Sequence, residues 1–315
     1  MEEFKIGTYI RKQRELLQLS QEELCEGYCS VSTLSRIENN QQDPSRSLTK
    51  NLLERLGLPQ DKFTAFWGQK DLTAGTLMRE INNDMVLYRQ ILGEGRRQLR
   101  EQILEKLEEL GSIVTTDDKA AQQFLIAQKA SLGGPDGPYS MEEKLSMQLE
   151  AIRLTCPRFN LEDFRGGHYN REEYLLITQI AKTYSSAGQK ERAIDIYRQL
   201  LWYIEKNGRE LAGYASQFCL VAHNYAINLL AVGQYMKAID VAEKGRKTCI
   251  EYGTFQFLPG LIAVQAESNY YLGQEETSRN LYRKAYYLYE AFEDKVNREI
   301  MRKEMKAHLG MEIDG

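Results

Sequence analysis

The sequence predicts an all-α protein, a small N-terminal helical unit followed by a right-handed solenoid of helix pairs. Three observations carry that expectation. Leu, Glu, Gln, Ala, Lys and Arg fill long segments in which apolar and polar residues alternate at helical spacing, and valine and isoleucine never gather into strand-like alternation. Only six prolines interrupt the 315 residues. The stretch LSQEELCEGYCSVSTLSRIENN packs a helix start, a sharp turn and a second short helix into Leu19–Asn40, and three later segments repeat one pattern.

At the N-terminus, Ile6, Ile10, Arg14 and Leu17 share one helical stripe, and Gln18-Leu19 ends that helix. Ser20 stands as N-cap with Glu23 three residues on, the capping-box arrangement in which each side chain satisfies the other's exposed backbone N–H. A second helix is expected from Gln21 to about Tyr28. After the turn at Cys29-Ser30, Ser30 caps a third helix through Asn39, with Leu34 and Ile37 pointing inward and Ser32, Ser35 and Arg36 outward. Asn39-Asn40 and the adjoining QQDP stop it. Two short helices joined by a tight turn make a helix-turn-helix, whose second helix can lie in the major groove of DNA.

The run IRKQRELLQLSQEEL…STLSRIENN…PS…LLERLGLP resembles the lambda-repressor-like (Xre-type) DNA-binding domain, over residues 5–66 as five helices. The resemblance implies that Val31, Ser32 and Arg36 meet base edges with Ser35 adjacent, that Gln21 and Asn39 hold phosphates, and that Arg46 reaches toward the minor groove. It also implies a structural ion pair between Arg14 and Glu38 that joins the first helix to the third. Arg36 is the one side chain on this helix able to grip guanine bidentately, a contact that contributes about 1–3 kcal/mol of discrimination. Residues 1–66 hold nine Lys/Arg and ten Asp/Glu, so the unit is not basic overall. A weak electrostatic term predicts a modest salt slope and a dependence on dimerisation.

Further along, AKTYSSAGQKERA (181–193), AINLLAVGQYMKA (226–238) and AESNYYLGQEETS (266–278) align without gaps. Each reads Ala, six residues, Gly-Gln, three residues, Ala or Ser, with glycines at 188, 233 and 273. Such a period signals stacked helix pairs. Small residues at 181, 226 and 266 let the first helix of each pair approach its neighbour, Gly-Gln makes the turn, Ala193, Ala238 and Ser278 admit the second helix, and Tyr197 and Tyr282 fill the remaining gap. The pattern resembles tetratricopeptide repeats, although the spacings of 45 and 40 exceed that family's usual 34 and its closing proline is missing. Longer helices would account for both. Residues 85–110 and 118–157 read as amphipathic helix pairs of the same rhythm without a clean motif, broken by the GGPDGP loop at 133–138, and 293–309 reads as a charged capping helix. The expected organisation is a helix-turn-helix domain over 1–66, a linker helix over 67–84, and a repeat domain over 85–315.

The combination resembles the RRNPP family of peptide-responsive regulators, nearest its PlcR/Rgg-like branch. The turn CEGYCSVSTLSRIE and the repeat HNYAINLLAVGQY (223–235) carry that likeness. It implies a cytosolic homodimer that binds a double-stranded DNA operator and takes a short imported signalling peptide in its repeat groove. Physically, an unfolded peptide brings many N–H and C=O groups, which favours a groove lined with Asn and Gln and with aromatic pockets. Counted from the repeat register, the inward positions are Thr178, Gln179, Lys182 and Ser185, then His223, Asn224 and Ile227, then Glu267, Tyr270 and Tyr271. Asn224 is the strongest candidate, and Lys182 and Glu267 are candidates for the two charged ends of a peptide.

A net charge of −4 confines any nucleic-acid surface to a local patch. Five scattered cysteines without a CxxC pair point to a reducing compartment. No apolar run reaches the roughly 18 residues of a membrane span, and the expected location is the cytoplasm. His168, His223 and His308 offer no metal-ligand spacing, and the chain has neither a nucleophile motif nor a phosphate loop, so no metal, cofactor or catalysis is expected. Two alternatives stay open: a regulator whose repeats bind a protein rather than a peptide, and a ligand-free repressor whose repeats only dimerise.

Overall fold

The computed structural model describes residues 5–58, 69–91, 93–134, 137–207 and 213–311. Every regular element among them is a helix: α1 (Ile6–Leu16), α2 (Gln21–Cys25), α3 (Val31–Glu38), α4 (Arg46–Arg55), α5 (Gln69–Gln90), α6 (Glu94–Ile113), α7 (Lys119–Ser131), α8 (Met141–Thr155), α9 (Arg171–Ser186), α10 (Lys190–Asn207), α11 (Tyr214–Ala231), α12 (Tyr235–Glu251), α13 (Leu258–Tyr271), α14 (Glu275–Ala291) and α15 (Lys295–Leu309). They form two compact units, Met1–Thr183 and Tyr184–Gly315, which divide within α9.

In the first unit, α1 to α4 close on a core of Ile10, Leu24, Leu34, Ile37 and Leu52. Ser20 accepts the Glu23 N–H at 3.1 Å while the Glu23 carboxylate accepts the Ser20 N–H at 2.7 Å, completing the capping box. Ser30 and Ser45 cap α3 and α4 in the same way, through the N–H groups of Thr33 and Leu48. Two details depart from the sequence reading. Leu17 lies just past α1 and is exposed, and α2 stops at Cys25 because Gly27 takes a φ of +76°, which turns Tyr28 away from the helix axis. The fifth helix expected for this domain falls on residues outside those described.

A second core in this unit joins α5, α6 and α7 through Leu77, Ile81, Met85, Tyr88, Ile103, Leu107, Leu110 and Leu125. The helix pair read at 85–110 is therefore α5 with α6, and its first helix begins upstream at Gln69.

The second unit keeps closely to the repeat chemistry. Gly188, Gly233 and Gly273 have φ of +81°, +76° and +74°, and the next glutamine's N–H closes each turn onto the carbonyl five residues back, at 3.0, 2.9 and 2.9 Å. Ala193, Ala226, Ala238, Ala266 and Ser278 are fully buried, as is Ala181 in the first unit, and Tyr197 and Tyr282 are buried beside them. The Ser278 hydroxyl also donates to the Ala266 carbonyl at 2.8 Å, tying α14 to α13. Helices of 17 and 18 residues in α10, α11, α12 and α14 explain why the repeat is longer than 34. α15 closes the stack with Met301 and Met305 and leaves an outer surface that is mostly charged, with Val296 and Ile300 also exposed.

Candidate functional site

Helix α3 is held from below and open above. Gly7 of α1 crosses it so closely that a Cβ there would stand 1.8 Å from the Ile37 carbonyl oxygen. Glu38, only 3% exposed, accepts from Arg14 Nε at 2.7 Å, from Arg14 Nη2 at 2.9 Å and from Gln21 Nε2 at 2.7 Å. The hydrogen bond to Glu38 raises the Arg14 pKa above the usual arginine value, against the opposing effect of burial. The Gln21 amide is thereby drawn into the structural pair. On the upper side Val31, Ser32, Arg36 and Asn39 are exposed and Ser35 is half-buried, with Arg36 Nε donating to the Ser32 carbonyl at 3.3 Å. Arg46 opens α4, and its side chain lies outside the described residues.

The opposite side of the helix-turn-helix meets helices of the repeat region, a joint that the sequence reading missed. Glu173, fully buried in the first turn of α9, exchanges hydrogen bonds with Asn170: its Oε2 accepts the Asn170 N–H at 2.8 Å and its own N–H donates to Asn170 Oδ1 at 3.0 Å. The other carboxylate oxygen accepts the Tyr28 hydroxyl at 2.9 Å and lies 3.6 Å from Arg55 Nη2. The Arg55 guanidinium stacks 3.9 Å from the Tyr28 ring centroid and donates to the Glu26 carbonyl at 2.7 Å. Burial pushes the Tyr28 hydroxyl well above its ordinary pKa, with the Glu173 charge adding to the effect. A Cβ on Gly27 would stand 1.6 Å from the Thr155 carbonyl oxygen, so only glycine allows this approach. Around the rim, Glu26 pairs with Arg158, the Ser47 hydroxyl donates to Asp118 at 2.7 Å, and Lys50 donates to Glu172 at 3.5 Å. The legible signal was N-x-x-E at 170–173, which is itself a capping-box spacing.

On α9, Gln179 and Lys182 lie on the open side, whereas Thr178 is buried and donates to the Tyr174 carbonyl at 2.8 Å. Thr178 faces the core rather than the inner surface, because the stripe rotates between 178 and 179. Gln179 Oε1 accepts the Ser131 hydroxyl at 3.1 Å. Near Lys182, the Lys144 ammonium donates to the Gly133 carbonyl at 3.2 Å, and its pKa is lowered by burial and by facing Lys182 and Arg89.

In the second unit, the open stripe of α11 carries Ser216, Leu220, Asn224 and Ile227, the last 39% exposed. Beside Asn224, at helical spacing, Gln217 and Asn228 are buried, and each leaves its side-chain oxygen without a hydrogen-bond partner. The Asn228 amide nitrogen donates to the Asn224 carbonyl at 2.8 Å, which turns the free oxygen away from the helix backbone. His223 is packed into the unit: its ring lies 6.0 Å from that of Phe257, and a Cβ on Gly260 would meet His223 Nε2 at 2.4 Å. Burial pushes its pKa down to about 4, so the imidazole is neutral near pH 7. On α13, Glu267 and Tyr270 are half-buried and Tyr271 is exposed; Tyr270 stacks on His308 with 4.4 Å between centroids.

Residues 10–63 match the helix-turn-helix family HTH_3, and residues 160–310 match the RNPP family C-terminal domain. The chain carries an RNPP family C-terminal domain. That C-terminal match runs from the socket at Asn170 and Glu173 through all the second-unit residues described above. By fold, the chain is similar to PlcR of Bacillus thuringiensis, solved in complex with the peptide PapR7 and DNA, with a TM-score of 0.58 and 20% identity over 94% of this chain and 98% of that one. It is also similar to Rgg2(C45S), an SHP pheromone receptor of Streptococcus dysgalactiae, with a TM-score of 0.53 and 15% identity over 97% of this chain and 100% of that one. No curated protein matches it by sequence. No helix among the described residues is long and apolar enough to cross a membrane. The two matches account for the helix-turn-helix and for the helix pairs from α9 to α15.

Proposed function

We propose that the chain is a cytosolic transcriptional regulator that binds operator DNA as a homodimer through α3 and is controlled by a short imported signalling peptide bound along α11 and α13. The observation that carries this reading is chemical. One chain presents an exposed reading helix and, elsewhere, a helix face where the buried amide oxygens of Gln217 and Asn228 lack donors. A buried acceptor left unpaired costs about 1–3 kcal/mol, and the N–H groups of an extended peptide would supply the missing donors. Ile227 and Tyr271 offer apolar contact on either side. PlcR, solved with a peptide and DNA, supports the same assignment by its fold.

Arg36 and Ser32 are assigned to base edges, Val31 and Ser35 to their flanks, and Asn39 to a phosphate. In this reading Gln21 acts indirectly, by holding Glu38 and with it the pitch of α3. Selection of bound duplexes from a randomised DNA pool tests the first half: Arg36→Ala should lose all enrichment while its thermal unfolding matches the parent, and an unchanged consensus would remove α3 as the reader. Thermal unfolding with peptide fractions from the source culture medium tests the second. A ligand at 100 times its Kd stabilises by about 2.7 kcal/mol. The shift should vanish in Asn224→Ala and in Asn228→Leu, each compared with its own unliganded baseline; a shift unaffected by both would move the ligand elsewhere.

A further inference from the structure

At the far end of the second unit, α13 and α15 place two carboxylates side by side. The short turns on either side of α14 reverse the chain twice, so α13 and α15 run in the same direction. Their register is fixed by the stacked rings of Tyr270 and His308, 4.4 Å apart and inclined by 11°. Glu267 lies one turn before Tyr270, and Glu304 one turn before His308, which brings the two acids level with each other.

Aromatic rings surround them. Tyr271 lies 5.9 Å from His308 and stacks on Tyr235 of α12 at 4.9 Å, and the hydroxyl of Tyr282 on α14 hydrogen-bonds His308 Nδ1 at 2.8 Å. Both carboxylates are half-buried, and neither takes part in a hydrogen bond or ion pair among the described residues. Burial pushes Glu304 up to about 7 with the Glu267 charge adding to it, and burial raises Glu267 while His308 opposes the rise. The titratable groups facing the pair are therefore His308 from α15, Tyr270 and Tyr271 from α13, and Tyr282 and Tyr289 from α14, with Tyr235 of α12 stacked behind Tyr271. Two like charges held half-dry are costly until a cation joins them, and the faces of tyrosine rings add attraction for one.

We propose that Glu267, Glu304 and the rings of Tyr235, Tyr270 and Tyr271 form a binding site for an organic cation carried by the peptide, either a guanidinium or ammonium side chain or the free amino terminus. The identity of the carrier rests on the peptide reading above; the cation chemistry does not. A ligand of this kind must bind more tightly as pH rises through the Glu304 titration, since the acid has to give up its proton to form the pair.

The test uses the full chain with carbon-13 at the glutamate carboxyls, so that the Glu304 titration is followed directly and assigned by its loss in Glu304→Gln. The probes are N-acetylarginine amide, glycinamide, and N-acetylcitrulline amide as the uncharged isostere. A saturating guanidinium or amine probe should lower the Glu304 midpoint by about one unit, the citrulline probe should not, and Glu267→Gln and Tyr271→Leu should each weaken binding severalfold. A response to the arginine probe alone assigns a side chain, and a response to glycinamide alone assigns the amino terminus. No midpoint change with either cation, or an equal change with citrulline, overturns the site. These probes have too little backbone to depend on Asn224, so Asn224→Ala should leave their effect intact. Cation binding without any peptide binding would leave this site standing and remove the groove; peptide binding without cation binding would do the reverse.

Discussion

In the helix-turn-helix the elements are joined by buried charge, Glu38 beneath Arg14 and Gln21, and Glu173 beneath Tyr28 and Arg55. In the second unit they are joined by the near-absence of side chains, at Ala226, Ala266, Gly245 and Ser278, and the polar groups there are left unpaired along one side. The difference teaches where each part can change. A charged joint has few satisfied geometries, because apart from Arg55 Nε most of its buried donors are matched to acceptors and a shift strands both. A joint of small residues holds helices by close contact and can slide by fractions of an ångström without losing a partner. Under the proposed function, rigid presentation of α3 would suit a reader and an adaptable face on the second unit would suit a receptor.

Breaking the charged joint should have the largest effect. Glu173→Ala strips Arg55 of its counter-charge in a site where the Arg55 side chain is 3% exposed, and also removes the carboxylate that accepts the Asn170 N–H at the start of α9. Removing one partner of a buried pair costs about 3–5 kcal/mol. Urea unfolding should show that loss. A cost below about 1 kcal/mol would mean the pair behaves as an exposed one and that the helix-turn-helix is not anchored there. Arg55→Met with Glu173→Leu, which removes both charges, should recover much of the stability.

The small-residue joint should break more gently. A Cβ at Gly245 would stand 2.9 and 3.0 Å from the Leu261 methyls and 3.1 Å from the Ala222 Cβ, between α11 and α13. Gly245→Val should therefore cost about 1–3 kcal/mol through overpacking, and Gly245→Ala less, since the Leu261 methyls can rotate aside. Calorimetry of both variants gives the order. If valine proves as stable as glycine, the helices separate freely and close approach is not what sets the repeat.

Much of the fold was legible because its signals are local. Ser20 with Glu23, Ser30 before α3, and the three Gly-Gln turns each act over a span of a few residues and are visible as spacing. The Arg14–Glu38 pair came through resemblance and is present at 2.7 Å. What spacing could not give were pairings across long separations. Tyr28 and Glu173 lie 145 residues apart, and nothing at either position marks the other. A register error of one residue also escaped, since Thr178 is buried while its neighbour Gln179 is half-exposed, and the unpaired oxygen of Asn228, one turn beyond Asn224, carries no mark in the sequence. His223, half-buried at its position in the repeat, also sits in the space that Gly260 leaves open, a contact between α11 and α13 that spacing does not reveal. The Glu267 and Glu304 pair could not be read at all, because α15 carries no repeat motif to place it in register with α13.

The smallest effect should come from the carboxylate pair, and it sharpens the comparison because here a charged contact sits unsatisfied among the small-residue helices. Glu304 titrates at about 7 in the folded chain, above the ordinary carboxylate value of 4.5 that it regains on unfolding. Between those values the folded state holds a proton that the unfolded state has released. Stability must then fall as pH rises from about 4.5 toward 7 and level off above it. Glu304→Gln, which stays neutral, should remove that part of the slope, so the melting temperatures of parent and variant should converge below pH 5 and separate above pH 7 with the variant higher. His223 acts in the opposite sense: its folded pKa of about 4 lies below the ordinary 6.5, and it withdraws stability as pH falls between those values. Combining Glu304→Gln with His223→Gln separates the two slopes. If Glu304→Gln leaves the pH profile of melting unchanged, Glu304 is solvated in the folded chain rather than held half-buried beside Glu267, and the site built on it falls.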